Sequence, residues 1–145
     1  MKTEDQIKNE VRQQYASIVS KSAPANAGCC STSCCSGEDL SFADDYAALE
    51  GYVPEADLNL GCGLPTEYAR IKEGDTVLDL GSGAGNDVFI ARRIAGERGY
   101  VIGVDMTPEM IFRARENKNK MGYENVEFRL GEIDNLPVEN NSVDV

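Results

Sequence analysis

Asp79, Gly81, Gly83 and Gly85 stand at every second position of the stretch TVLDLGSGAG (76–85), an apolar run that ends as a turn. A second run, YVIGVDM (100–106), carries Asp105 near its end, and a third, VEFRL (126–130), is followed by Gly131, Glu132 and Ile133. A strand feeding a glycine turn and a helix, with an acid closing the next strand, is the layout of a nucleotide-type cofactor site. The glycines let backbone approach the ligand and the acid accepts from a ribose. Their spacing narrows the ligand. In the dinucleotide fingerprint the third glycine follows the second by three positions, but here Asn86 stands there. A pyrophosphate needs a helix N-terminus aimed at it. A cofactor without phosphates needs instead a turn thin enough for a sugar and an amino-acid tail to lie along it. A lone glycine turn is often only a tight turn; three strand ends bearing such residues argue for a ligand.

Five cysteines form the second chemical group: Cys29, Cys30, Cys34 and Cys35 in SAPANAGCCSTSCCSG (22–37), and Cys62 in NLGCGLPT. The CC-x3-CC spacing differs from the C-x2-C knuckle of a zinc ribbon, and adjacent cysteines rarely both reach one tetrahedral ion. A soft, three-coordinate thiophile suits such a segment better. The plainer alternatives are a small buried residue in a turn for Cys62 and incidental thiols for the loop. The chain has no histidine, so the usual general base near neutral pH and any His-ligated metal are excluded.

These residues need a frame. Ile7, Val11, Tyr15, Ile18 and Val19 share one face of a helix predicted over residues 4 to about 21. Phe42, Tyr46 and Leu49 have helical spacing, and Pro65 and Thr66 can open a short helix to about Ile71. From Asp75 the pattern becomes regular: strand 76–80, helix 86–95, strand 100–106, a helix capped by Thr107 and ended by Gly122, strand 126–130, and the opening of a fourth strand at 142–145. Strand and helix alternating at this rhythm predict parallel βαβ units with right-handed crossovers.

The 145 residues match one domain, and the formal charge of −11 argues against a nucleic-acid partner. RARENKNK (113–120) reads as a solvated helix face. No apolar run approaches a membrane span of about 20 residues, and MKTEDQIKNE lacks a signal-peptide core. A soluble, cytoplasmic protein is expected. Three strands and a stub are too few to cover a sheet's faces and edges. The chain therefore reads as the N-terminal half to two-thirds of a larger domain, self-associating through open edges.

The pattern D-x-G-x-G-x-G resembles motif I of the class I S-adenosylmethionine-dependent methyltransferases. That resemblance implies an α/β, Rossmann-like fold over 72–145, its parallel sheet stopping after the third to fourth strand. Residues 1–71 would form an N-terminal helical extension with the cysteine loop and the Gly-Cys-Gly segment. It further implies that Gly81, Ser82, Gly83 and Gly85 lie along the methionine and ribose. Asp79 would orient the loop or meet the methionine ammonium, Asp105 would take both ribose hydroxyls, and Met106 would pack on the adenine. Gly131, Glu132 and Ile133 would complete the adenine site, with Glu132 accepting from the exocyclic amine.

A narrower likeness joins LGCGLPT (60–66), DLGSGAG, VIGVDMTPEM and the CC…CC segment behind VRQQYASIV. Together these resemble the arsenite S-adenosylmethionine methyltransferases from about Val11 to Val145. The resemblance implies Cys62 as one thiolate on As(III), and one or more of Cys29, Cys30, Cys34 and Cys35 as another. It also implies a thiol reductant as co-substrate and methyl transfer to the arsenic lone pair, a step that takes no proton from the nucleophile. Which of the four loop cysteines serves is open. Family members carry further cysteines and strands past this point, so an incomplete As(III) site is expected in the chain alone. Two rivals remain: a methyltransferase of a small organic acceptor, which leaves the cysteines idle, and a soft-metal thiol module, which leaves the glycine turn idle.

Overall fold

The computed structural model describes residues 2–21, 50–58, 60 and 65–145. All five cysteines, and the helix expected around Phe42, Tyr46 and Leu49, lie outside the described residues.

The N-terminal helix α1 (Glu4–Lys21) is followed by a one-turn helix α2 (Pro65–Tyr68), shorter than expected. Soon after α2, Arg70 adopts φ +55°, a left-handed conformation that stops helix propagation. Then β1 (Thr76–Leu80), α3 (Asn86–Ala95), β2 (Tyr100–Asp105), α4 (Pro108–Met121) and β3 (Val126–Leu130) follow with the expected alternation. The strands form a parallel sheet in the order β1-β2-β3, pairing Val77 with Val101 and Val101 with Val126. Right-handed crossovers stepping twice in one direction place α3 and α4 on the same face.

That face holds the core. Val77, Val101, Val126 and Phe128 from the strands join Val88 and Phe89 of α3 and Ile111 and Ala114 of α4 in one buried cluster. Phe89 meets the Phe128 ring edge-on at a centroid distance of 5.8 Å. Val53 and Ala56, from the segment before α2, belong to the same cluster. Asn125 ties the turn after α3 to β3, donating to the carbonyls of Gly96 and Gly99 and accepting from Arg92 Nε.

The segment expected to open a fourth strand lies on the free side of β1. Val145 N–H donates to the Thr76 carbonyl (3.3 Å), and Leu78 N–H donates to the Val145 carbonyl (2.9 Å). Bonds that bracket Val77 in this way are those of a parallel pair. No helix among the described residues is long and apolar enough to cross a membrane.

Candidate functional site

A cavity of about 390 Å³ opens where β1 and β2 end, walled by the glycine turn, Asp105, Met106 and Thr107. This is the carboxyl edge of a parallel sheet, where ligands of such folds bind.

The turn is fastened to β2 from two directions. The Val104 carbonyl accepts from Gly81 N–H (2.8 Å) and Ser82 N–H (3.0 Å). In return, Asp105 Oδ2 accepts from Gly83 N–H at 3.0 Å. Asp105 Oδ1 accepts from Thr107 N–H at 2.7 Å, so one carboxylate joins the turn to the start of α4. Each oxygen uses one acceptor position on backbone and keeps another for a ligand hydroxyl. Thr107 is the N-cap of α4 as expected, but its hydroxyl makes no capping bond. The Asp105 carboxylate, two residues earlier, supplies negative charge at that helix end instead.

The three glycines divide the work unequally. A side chain added at Gly81 would meet nothing within 4 Å, and at Gly83 only Met110 Sδ at 3.9 Å, so the backbone there is open. Gly85, expected to approach the cofactor, instead faces the core and does not line the cavity. Its φ is +100°, and a Cβ there would sit 2.7 Å from Phe128 Cζ and 3.0 Å from Phe89 Cε2. Gly85 makes room for this packing.

Asp79 sits on β1 outside the cavity lining. Burial, reinforced by the charges of Asp87 and then Asp105, pushes its carboxyl up to about 7. Three acids gathered around one turn give a local field that favours a cation.

Gly131 and Ile133 border the cavity as expected, but Glu132 does not. Glu132, expected to accept from an adenine amine, has its carboxylate turned to α1, where Lys8 Nζ lies 2.7 Å from Oε2 and the Arg12 guanidinium pairs with Oε1. Those two cations, Lys8 first, hold its pKa below the usual carboxylate range. Two residues pointing into the cavity from α1, Val11 and Tyr15, complete the wall together with Asp57, Leu58, Asn86 and Met110. Sequence reasoning missed this use of α1. Val11 and Tyr15 stand four residues apart on the apolar face, and nothing in that periodicity tells a helix packed on a core from one packed on a cavity.

Comparison with known proteins agrees with the fold. The methyltransferase domain family profile matches residues 71–145, and the chain belongs to that family. Its sequence is 48% identical to the arsenite methyltransferase of Halobacterium salinarum, over 97% of this chain and 39% of that protein. It is 29% identical to the arsenite methyltransferase of Mus musculus, over 91% of this chain and 35% of that one. The chain thus spans about two-fifths or less of the length of these curated relatives. Among solved structures, a SAM-dependent methyltransferase from Aquifex aeolicus superposes with a TM-score of 0.52 at 39% identity, covering 55% of this chain and 43% of that one.

Proposed function

We propose that this chain carries the S-adenosylmethionine site of an arsenite methyltransferase. The observation that carries the reading is the Asp105 carboxylate, fixed by Gly83 and Thr107 amides at the mouth of a cavity whose glycine backbone is open. The residues fit the cofactor. Gly81 and Gly83 present bare backbone to an extended ligand, Asp105 keeps acceptor positions for ribose hydroxyls, and Met106 and Ile133 offer apolar surface to a base. Asp79, Asp87 and Asp105 favour a ligand that is cationic at sulfonium and ammonium. When bound, the cofactor supplies an electrophilic methyl group.

The acceptor side rests on the relatives. Arsenite, a small inorganic substrate, would be held by Cys62 with one or more of Cys29, Cys30, Cys34 and Cys35. Thiolates keep such an ion in place and raise its electron density; methyl transfer to its lone pair would take arsenic from +3 to +5, and a thiol reductant would supply the two electrons that restore the trivalent state, itself ending as a disulfide. No nucleic acid or membrane enters this reading, and the cytoplasm, where thiols stay reduced, suits it. β3 pairs on one side only among the described residues, so self-association through that edge is also proposed. Light scattering that shows a monomer at all concentrations contradicts it.

The test of function is incubation of the protein with S-adenosylmethionine, arsenite and a thiol reductant, followed by detection of methylated arsenicals. In a protein that also carries the family's further cysteines, bound cofactor without arsenic product would move the acceptor to an organic molecule. As(III) titration of Cys62→Ser against wild type isolates the cysteine: equal binding removes Cys62 from the site.

A further inference from the structure

Lys8 and Arg12, one turn apart on α1, grip the segment that follows β3. Lys8 Nζ lies 2.7 Å from Glu132 Oε2 and 2.9 Å from Asp134 Oδ2, with Glu4 of its own helix at 3.2 Å. Arg12 takes the second oxygen of Glu132. The side chains of Lys8, Arg12 and Glu132 are 28%, 31% and 34% exposed, so the pairs are partly shielded yet within reach of solvent ions. Asp134, at 63%, is the outer member.

Three residues beyond each cation, on the adjoining stripe of the same helix, stand Val11 and Tyr15. These line the same cavity as the glycine turn. No described residue of α1 is fully buried, although the helix runs for 18 residues and packs on α4. An element with shallow apolar burial belongs to the low end of local stability. Its most specific attachments are the charges, and their anchor follows directly on a strand of the sheet.

We propose that α1 is a lid over the cofactor cavity, clasped shut by Lys8 and Arg12 on Glu132 and Asp134, so that cofactor passes in and out when the clasp opens. The proposal rests on the cofactor reading above. It gives Glu132 a positioning role in place of an adenine contact. It also makes cofactor residence sensitive to salt, because screening acts on exactly the bonds that hold the lid. Of the other charges on this end of α1, Glu4 competes weakly for Lys8, while Glu10 is engaged by Lys2.

The test compares wild type with Lys8→Glu/Arg12→Glu and with that variant carrying Glu132→Lys/Asp134→Lys as well. Hydrogen exchange over residues 4–21 without ligand reads the clasp: exchange about tenfold faster is expected in the double variant, restored in the charge-reversed one. Stopped-flow release of S-adenosylmethionine reads the lid. Release about five- to tenfold faster is expected in the double variant, and wild-type release should accelerate between about 0.05 and 0.5 M salt. Unchanged exchange overturns the clasp. Faster exchange with unchanged release overturns the lid. Wild type that binds no S-adenosylmethionine overturns the cofactor reading and the lid's role together, an outcome distinct from the other two.

Discussion

Two groups of acids flank the same sheet edge, and the protein treats them in opposite ways. Glu132 and Asp134, after β3, are met by Lys8 and Arg12, and both carboxyls are held below their ordinary range. Asp79 and Asp105, at the ends of β1 and β2, lie with Asp87 around the glycine turn, and Asp79 is pushed up to about 7. Among the described residues, Asp105 is steadied by two backbone amides and by no side-chain cation. Acids compensated from within hold structure together. Acids gathered at an open cavity create a field that a cationic ligand can relieve.

The sharpest way to break this contrast is to spoil the turn that gathers the second group. Gly85→Ala places a Cβ against Phe128 and Phe89 at a φ of +100°. Left-handed strain and overpacking together should destabilise by about 3–4 kcal/mol. Gly81→Ala has comparable backbone strain but meets no neighbour within 4 Å, so its cost should stay near 1–2 kcal/mol. Chemical denaturation of both variants checks the difference; equal losses would mean that Gly85 is not set by packing.

Asp79→Asn should have the next largest effect, with a sign that depends on pH. The folded carboxyl, at about 7, holds its proton more tightly than the unfolded one near 4. The wild-type fold therefore loses stability as pH rises from about 4 to 7, and the deficit stays in place above that window. Asp79→Asn removes the deficit, so without ligand it should exceed wild type by about 2–3 kcal/mol at pH 8 and match it at pH 4. Denaturation curves across this range decide. A variant weaker than wild type at pH 8 would sink the account of Asp79 as a desolvated acid in a field of like charge.

Much of this was legible in the sequence, for a definable reason. Glycine positions, strand ends and helix caps are local signals, and the βαβ alternation from Asp75 onward followed them closely. Even the short stretch SVDV at 142–145, expected to open a fourth strand, is hydrogen-bonded along β1. What escaped depended on three-dimensional neighbours. Nothing in D-x-G-x-G-x-G tells a glycine facing a ligand from one facing Phe128. The position of Glu132, two residues past a strand, suited an adenine contact as well as a clasp. The difference lies in Lys8 and Arg12, 124 and 120 residues away along the chain, which no local pattern connects to it.

A smaller effect is expected at Asp105, because its oxygens are fixed by backbone and its loss is felt mainly by the ligand. Charge-assisted bonds to a ribose contribute about 1.5–3 kcal/mol, so Asp105→Ala should weaken S-adenosylmethionine roughly tenfold to a hundredfold. Part of any loss in stability would come from Gly83 and Thr107, whose amides then lack this acceptor. Asp105→Asn separates the parts, since its amide oxygen can still accept from one of them. Calorimetry showing unchanged affinity for the alanine variant would remove Asp105 from the site.

Glu132→Gln should be the mildest of the set for global stability and the most informative about the contrast. Its carboxylate is one-third exposed, in the range where ion pairs contribute little by themselves. The pKa of Glu132 is lowered in the fold, so its contribution is present above the ordinary carboxylate range and is lost as pH falls through the folded value. That is the reverse of Asp79, whose penalty grows as pH rises. Wild type should therefore have opposing slopes: acid weakens the clasp while it relieves the turn. Removing Glu132 should flatten the acid side of the stability profile and leave the fall between about pH 4 and 7 intact; removing Asp79 should do the converse. If both substitutions flatten the same limb, the two groups of acids are coupled, and the division between holding the fold and receiving a cation is not one the protein makes.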